Sequence, residues 1–82
     1  MSPVKFTPKQ GQYLAFIYAY TTINGYPPAV TDLQRFFRVS GATAHSMVVR
    51  LADLGLIGRT PGAVRSIEIL VPPESLPVLH RV

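Results

Sequence analysis

Apolar and polar positions alternate at helical spacing in the first third of the chain. Five positions share one face: Gln10, Tyr13, Leu14, Ile17 and Thr21. This is the pattern of a helix packed against a core. Thr7 suits the N-cap, Pro8 the first helical position, and Gln10 completes a capping box. Asn24-Gly25 is a stop signal. The pattern therefore predicts a first helix between these signals.

Two further helices are predicted before residue 55. Tyr26-Pro27-Pro28 cannot continue a helix, so the second helix is expected over Asp32–Phe37, with Thr31 available as its N-cap. Ser40 is a good N-cap for a third helix that runs through Leu54 to Gly55. Its core face is predicted to carry Ala44, Met47, Val48, Leu51 and Leu54. Its outward face carries Thr43, His45, Ser46, Val49, Arg50 and Asp53.

From Leu56 on, the spacing of apolar residues changes from the helical period towards an alternation at every second residue. Leu56–Thr60 and Arg65–Leu70 are predicted to be strands around the turn Pro61-Gly62. The sequence thus predicts a mainly α fold with a small β-hairpin, a three-helix winged helix-turn-helix. Residues 1–70 are expected to form this domain. Residues 71–82 are expected to be a proline-rich C-terminal tail that forms at most one turn of helix.

Composition narrows the class of protein. A chain of 82 residues is long enough for one hydrophobic core only. Of its residues 48% are hydrophobic and 15% are charged, which predicts a compact domain with an apolar exterior. The absence of cysteine excludes disulfides and thiolate metal sites and fits a cytoplasmic location. The longest apolar-rich segment, Tyr13 to Ile23, is about half of a bilayer-spanning helix. No spacing among the titratable residues resembles a metal site, a cofactor loop or a nucleophile with its base, so we expect no enzyme activity.

The positive charge is concentrated in one segment. The net charge is +4, and five arginines but a single acid, Asp53, lie between Arg35 and Arg65. A basic patch of this kind is found in nucleic-acid-binding proteins, although charge alone favours an ordinary solvated surface.

Four segments carry a resemblance to a known family. They are Thr7-Pro8-Lys9-Gln10, Asn24-Gly25-Tyr26-Pro27-Pro28, Leu51–Ile57 and the wing Arg59–Leu70. In order and spacing, over roughly residues 5 to 70, the chain resembles the amino-terminal DNA-binding domain of LexA-type repressors. The resemblance implies sequence-specific binding to double-stranded DNA and a role as a transcriptional regulator or repressor.

The chain departs from the family pattern in three places. The family's serine–lysine peptidase half has no counterpart here, so self-cleavage is not expected. The turn before the third helix is one residue shorter than usual, and Gly41 stands where proline is common. The outward positions of the first helix, charged in the family, are Ala15, Tyr18, Ala19 and Thr22.

The third helix supplies the candidate DNA contacts, because a helix fits the major groove, where each base pair shows a distinct pattern. The predicted base contacts are Ala42, Thr43, His45, Ser46 and Val49. The predicted phosphate contacts are Arg35, Arg38, Ser40, Arg50, Arg59 and Arg65. At least one of these arginines is expected to pair with Asp32, Asp53 or Glu68 instead.

The first helix presents a second apolar stripe in a run without charge from Gln10 to Thr31. Phe16, Ala19, Tyr20 and Ile23 follow one another at helical spacing. Either Phe16, Tyr18, Tyr20 and Ile23 form a surface for a homodimer or a partner protein, or the stripe packs under the tail from Leu76 to Val82. The sequence leaves both open. The rival function is a protein-interaction module that docks a partner through the first helix.

Overall fold

Three helices precede a short antiparallel hairpin, as the sequence predicts. The computed structural model describes residues 5–82, so the first four residues of the predicted domain lie outside the described part of the chain. The elements are α1 (Pro8–Asn24), α2 (Val30–Phe37), α3 (Gly41–Asp53), β1 (Ile57–Gly58), β2 (Glu68–Ile69) and a 3-10 turn at Pro73–Ser75. This order confirms the winged helix-turn-helix class.

Local capping signals determine where α1 begins and ends. The Thr7 hydroxyl accepts a hydrogen bond from Gln10 N at 3.1 Å, and Gln10 Oε1 accepts one from Thr7 N at 2.9 Å. Gly25 follows in the left-handed conformation, with φ 79°, and its N–H donates to Thr21 O. Both ends lie where the sequence predicts them, because each signal acts within one turn of the chain.

The start of α2 differs from the prediction. The helix begins at Val30 rather than Asp32, and its N-cap is Ala29 rather than Thr31. Asp32 accepts the Ala29 N–H at 2.8 Å through Oδ2. The Asp32 carboxylate, at the third helical position, thus accepts the backbone N–H of the N-cap residue. Ala29 itself has no side chain that could cap the helix.

The core lies between the three helices and the hairpin. Tyr13 of α1 stacks on Phe37 of α2, with ring centroids 3.9 Å apart and an angle of 9° between the rings. The most buried members of the core cluster are Tyr13, Leu14, Ile17, Leu33, Ala44, Val48, Leu51 and Ile57. Leu54, predicted to be core, is exposed because it caps α3 after the helical stripe has ended. Ala15, predicted to face outward, is buried.

The wing has less ladder pairing than the sequence predicts. Only Ile57 pairs with Ile69 and Gly58 with Glu68, so the predicted strands Leu56–Thr60 and Arg65–Leu70 shrink to two residues each. Beyond them the Ser66 side chain accepts from Thr60 N at 2.9 Å and donates to Thr60 O at 3.1 Å. A side chain thus takes the place of backbone pairing, and the wing is mainly a loop.

The tail returns to the amino-terminal half of α1. Val71 is buried and Leu76 packs against the core cluster. Gly11 of α1 admits a close approach, since a Cβ there would lie 3.0 Å from the Pro77 ring and 2.8 Å from Phe6. Gln12 bonds the tail backbone at two points further on.

Candidate nucleic-acid interface

The first turns of α3 present small and polar side chains to solvent. Ala42, Thr43, His45 and Ser46 are exposed, and Val49 is half-buried. The opposite face of the same helix is anchored in the core through Ala44, Val48 and Leu51. This anchoring holds the outward side chains on a rigid element rather than on a loop.

A pair of hydroxyls lies at the start of α3. Ser40 Oγ accepts from Thr43 N at 3.1 Å and donates to Thr43 Oγ1 at 3.0 Å. Since the Thr43 oxygen already accepts from Ser40, the proton of the Thr43 hydroxyl is directed away from Ser40. The Thr43 side chain is therefore set up to donate to an external acceptor.

Shallow grooves flank the outward face of α3 on both sides. Towards α1, the groove is lined by Gln10, Ala42, Thr43, Ser46, Met47 and Arg50. Towards the wing, the second groove is lined by Ala29, Val30, Thr31, His45, Arg59, Gly62, Ala63 and Val64. Each groove contains one arginine that the sequence predicts to contact phosphate. The second groove also includes the start of α2, which the sequence does not indicate as part of the interface.

The arginines divide into two groups by their partners. Asp32 forms ion pairs with Arg65 at 3.1 Å and with Arg35 at 3.7 Å, so the expectation that at least one arginine pairs with an acid is confirmed. Arg38, Arg50 and Arg59 make no ion pair within residues 5–82. Among the arginines predicted to contact phosphate, these three guanidinium groups remain available for an external anion.

The environment of Asp32 favours its ionised form. Partial burial of this carboxyl raises its pKa, but the hydrogen bonds from Ala29 N and Arg65, together with the charges of Arg65 and Arg35, lower the pKa on balance below 3.8. Asp32 is therefore a carboxylate near neutral pH and holds Arg65 through a charged hydrogen bond.

Arg38 has an unusual backbone conformation. It is the C-cap of α2, and its φ of 55° makes it the single non-glycine residue with positive φ among those described. A side chain in the left-handed region costs roughly 1–2 kcal/mol, which glycine would avoid. The exposed side chain at this strained position, three residues before α3, is an observation in favour of a functional role.

Arg65 differs from the predicted phosphate contacts in having several partners inside the protein. Its Nη1 donates to Tyr20 Oη at 3.2 Å, to Pro27 O at 3.0 Å and to Asp32 Oδ2 at 3.1 Å. Its guanidinium carbon also lies 5.0 Å from the centroid of the Tyr26 ring. The side chain thus turns back onto the helices, which argues against a direct role at a phosphate.

The second stripe of α1 is used mainly inside the protein. Phe16 stacks on Phe36 of α2 at 4.5 Å, and Tyr20 bonds Arg65 of the wing, so these two residues are half-buried and already have partners inside the protein. Tyr18 and Ile23 remain 42% and 80% exposed. Tyr18 borders a groove of about 500 Å³ between α1 and β2.

Residues 5–82 contain no cluster of metal ligands and no helix that could cross a membrane. No three histidine or acidic side chains in this part of the chain lie together as ligands for a metal ion. Of the helices described, none combines the length and the hydropathy needed to cross a membrane.

Comparison with known proteins identifies the family. The family described as LexA DNA binding domain matches residues 3–66, which include all three helices and most of the wing. The chain belongs to this family. It is therefore a LexA-type DNA-binding domain with a winged helix-turn-helix fold, as the motifs around Thr7, Gly25 and Leu51 imply.

Individual LexA repressors match the chain over part of their own length. The chain is 38% identical to the LexA repressor of Thermosipho melanesiensis over 72 residues, covering 88% of this chain and 36% of the relative. It is 35% identical to that of Thermosipho africanus over 80 residues, covering 95% and 40%, and 39% identical to that of Pseudomonas chlororaphis over 85 residues, covering 96% and 42%. The chain thus spans about two fifths of the length of the curated relatives it matches.

Proposed function

We propose that this LexA-type domain binds double-stranded DNA in a sequence-specific way, with α3 in the major groove, and thereby represses transcription. One observation carries the proposal. The exposed, polar first turns of α3 lie between two grooves that each contain an arginine without an ion pair among the described residues, Arg50 on one side and Arg59 on the other. Residues 1–70 form the binding domain in this proposal, and residues 71–82 a tail docked on α1.

Base readout falls to the amino-terminal half of α3. The Thr43 oxygen accepts a hydrogen bond from Ser40, so its hydroxyl proton is left to donate to a base or phosphate acceptor. Ser46 and His45 supply further polar groups that reach base edges, and Ala42 and Val49 meet the methyl group of thymine. Discrimination by a good contact of this kind is worth about 1–3 kcal/mol per base pair.

Phosphate contacts fall to the arginines that have no internal ion pair in the described structure. We call residues 42–49 of α3, which carry the proposed base contacts, the reading turns. Arg38 precedes α3, Arg50 directly follows the reading turns, and Arg59 lies in the wing beside His45. Ser40 adds a contact to the DNA backbone at the start of α3. Arg35 contributes less to phosphate binding, because it pairs with Asp32, as Arg65 also does. Three arginine contacts per bound chain give a log–log salt slope of about −3, because each neutralised phosphate releases roughly 0.9 counterion.

The phosphate contacts are tested with single charge deletions. Arg50→Gln and Arg59→Gln should each reduce the salt slope by about one and weaken binding to all duplexes alike. Arg81→Gln is the matched control, since Arg81 borders a groove with Lys9 and Gln12 rather than with α3. Equal salt slopes in wild type, Arg50→Gln and Arg59→Gln, measured by fluorescence anisotropy over a salt series, would contradict the assignment.

A homodimer is the second element of the proposal. Tyr18 is 42% exposed in a stretch of α1 without charged side chains, and it borders the groove between α1 and β2. A second copy of the chain seated there would give a two-fold complex with half-sites about one helical turn apart or a multiple of it. Sedimentation of wild type and Tyr18→Lys tests this, because the variant should sediment as a monomer at concentrations where wild type is a dimer. A wild type that sediments as a monomer throughout, alone and on DNA, would reject the homodimer.

A further inference from the structure

The wing makes few bonds of its own. The ladder consists of two residue pairs, and the loop of residues 59–67 is closed by the Ser66 side chain on Thr60. A two-stranded ribbon of this size is not stable by itself, so its orientation depends on contacts with the helices. Arg59, the wing arginine beside His45, directly precedes Thr60.

Arg65 makes the polar contacts between this loop and the helices. Its Nη1 reaches Tyr20 near the end of α1, Pro27 in the connection and Asp32 in the first turn of α2. Nη1 has two N–H groups, so the three acceptors share them. Asp32 is only 12% exposed and is held in turn by the Ala29 amide, which makes it a rigid anchor.

We propose that Arg65 is a positioning residue that sets the angle between the wing and α3, and so places Arg59 on the DNA backbone at a fixed distance from the reading turns. Ser66 follows Arg65 directly and is bonded to Thr60, so a fixed Arg65 also fixes the residue next to Arg59. The inference rests on the proposed DNA binding. It assigns to the wing arginines two different roles, one direct and one through the helices.

Asp32→Asn distinguishes positioning from direct contact by the sign of its effect. Removing a negative charge should by itself strengthen binding to DNA. If Asp32 anchors the wing through Arg65, the same substitution should weaken binding instead, by about tenfold, as when a coupled network is broken. Asparagine can still accept the Ala29 amide, so the cap of α2 is preserved. Asp53→Asn is the matched control, since Asp53 is exposed at the end of α3 and forms no ion pair within residues 5–82.

A double-mutant cycle adds a second readout. Binding is measured on the duplex that wild type enriches most strongly from a random pool, for Arg59→Gln, Arg65→Gln and the double variant. Positioning predicts that Arg59→Gln weakens binding about tenfold in wild type and has little further effect once Arg65 is replaced. Arg65→Lys, which keeps the charge but loses the planar fork, should behave like Arg65→Gln.

The outcomes separate the two levels of the proposal. Additive losses for Arg59→Gln and Arg65→Gln, or tighter binding by Asp32→Asn, would overturn the positioning role and leave DNA binding intact. A wild-type protein that enriches no duplex would overturn the proposed function itself. In the protein without DNA, hydrogen exchange of the amides of residues 59–66 should accelerate in Arg65→Gln and not in Arg35→Gln. Unchanged exchange would also contradict the positioning role.

Discussion

The side chain of Gln12 in α1 donates from Nε2 to the backbone carbonyl of Val78 at 2.9 Å, across 66 positions of the sequence. The same amide group accepts from the backbone N–H of His80 at 2.7 Å through Oε1. One side chain thus bonds the tail in the way that a neighbouring strand would, which ties the tail to the first helix.

Gln12→Ala should release this part of the tail. Loss of two solvent-exposed hydrogen bonds is expected to lower the free energy of unfolding by about 1 kcal/mol, and exchange of the His80 amide should accelerate. Urea unfolding and hydrogen exchange measure both. Gln34→Ala is the control, because Gln34 makes no side-chain hydrogen bond within the described residues. Slow exchange at His80 in Gln12→Ala would show that other contacts hold the tail.

Tyr13→Phe should leave the stability unchanged or raise it. The Tyr13 side chain is fully buried, its hydroxyl has no hydrogen-bond partner among residues 5–82, and burial raises its pKa. Phenylalanine keeps the stack on Phe37 while removing a desolvated polar group, whose burial costs about 1–3 kcal/mol when unpaired. Thermal unfolding of the variant tests this, with Tyr13→Leu as the control that loses the stack. A loss of more than about 1 kcal/mol in Tyr13→Phe would mean that the hydroxyl is bonded.

Arg38→Gly should separate folding from DNA binding. Glycine relieves a left-handed conformation worth roughly 1–2 kcal/mol, and its extra freedom in the unfolded chain costs roughly 0.5–1 kcal/mol. The variant should therefore be as stable as wild type or slightly more so. Its salt slope for DNA binding should nevertheless fall by about one, because a phosphate contact is lost.

Arg38→Ala is the matched variant for this position. It removes the same charge but keeps a Cβ at φ 55°, so it should lose the same affinity without gaining stability. Chemical denaturation and anisotropy on the same preparations measure the two effects. If both variants bind DNA like wild type, Arg38 makes no contact with the phosphate backbone of the DNA.

The ion pairs of Asp32 predict a pH dependence of stability. Because its pKa is lower in the folded protein than the ordinary value of 3.8, the carboxylate stabilises the fold fully above that pH. This contribution is lost as the pH falls through the lower, folded value. The difference in unfolding free energy between wild type and Asp32→Asn should therefore be constant near neutrality and shrink below about pH 4. Asp53→Asn corrects for the change in net charge. A difference that grows on acidification would contradict the sign.

What the sequence predicts well is local. The ends of α1 and the start of α3 follow from caps whose partners lie three residues away, as with Thr7 and Gln10 or Ser40 and Thr43. The exposed set on the reading turns of α3 follows from the same helical period. These features depend on one turn of chain, so periodicity and capping residues suffice to place them.

What the sequence does not predict depends on distant partners. Arg65 and Asp32 are 33 positions apart, and no local pattern indicates that this arginine points to the helices rather than to solvent. The short ladder of the wing has a different origin, because the Ser66 side chain bonds Thr60 six positions away in place of backbone pairing, and the alternation of apolar residues does not indicate this. The C-cap of α2 is Arg38 rather than the glycine that ordinarily marks this position, so the sequence does not indicate its left-handed conformation.

The most direct test of the account is selection of bound duplexes from a random pool by the purified chain, with sequencing, at two salt concentrations. We predict enrichment of one motif, with an affinity that falls at a log–log slope of about −3 per bound chain. Ser46→Ala together with Thr43→Val should change or abolish the motif while keeping this slope. A pool that stays random in sequence at both salt concentrations would contradict the central claim that α3 reads DNA.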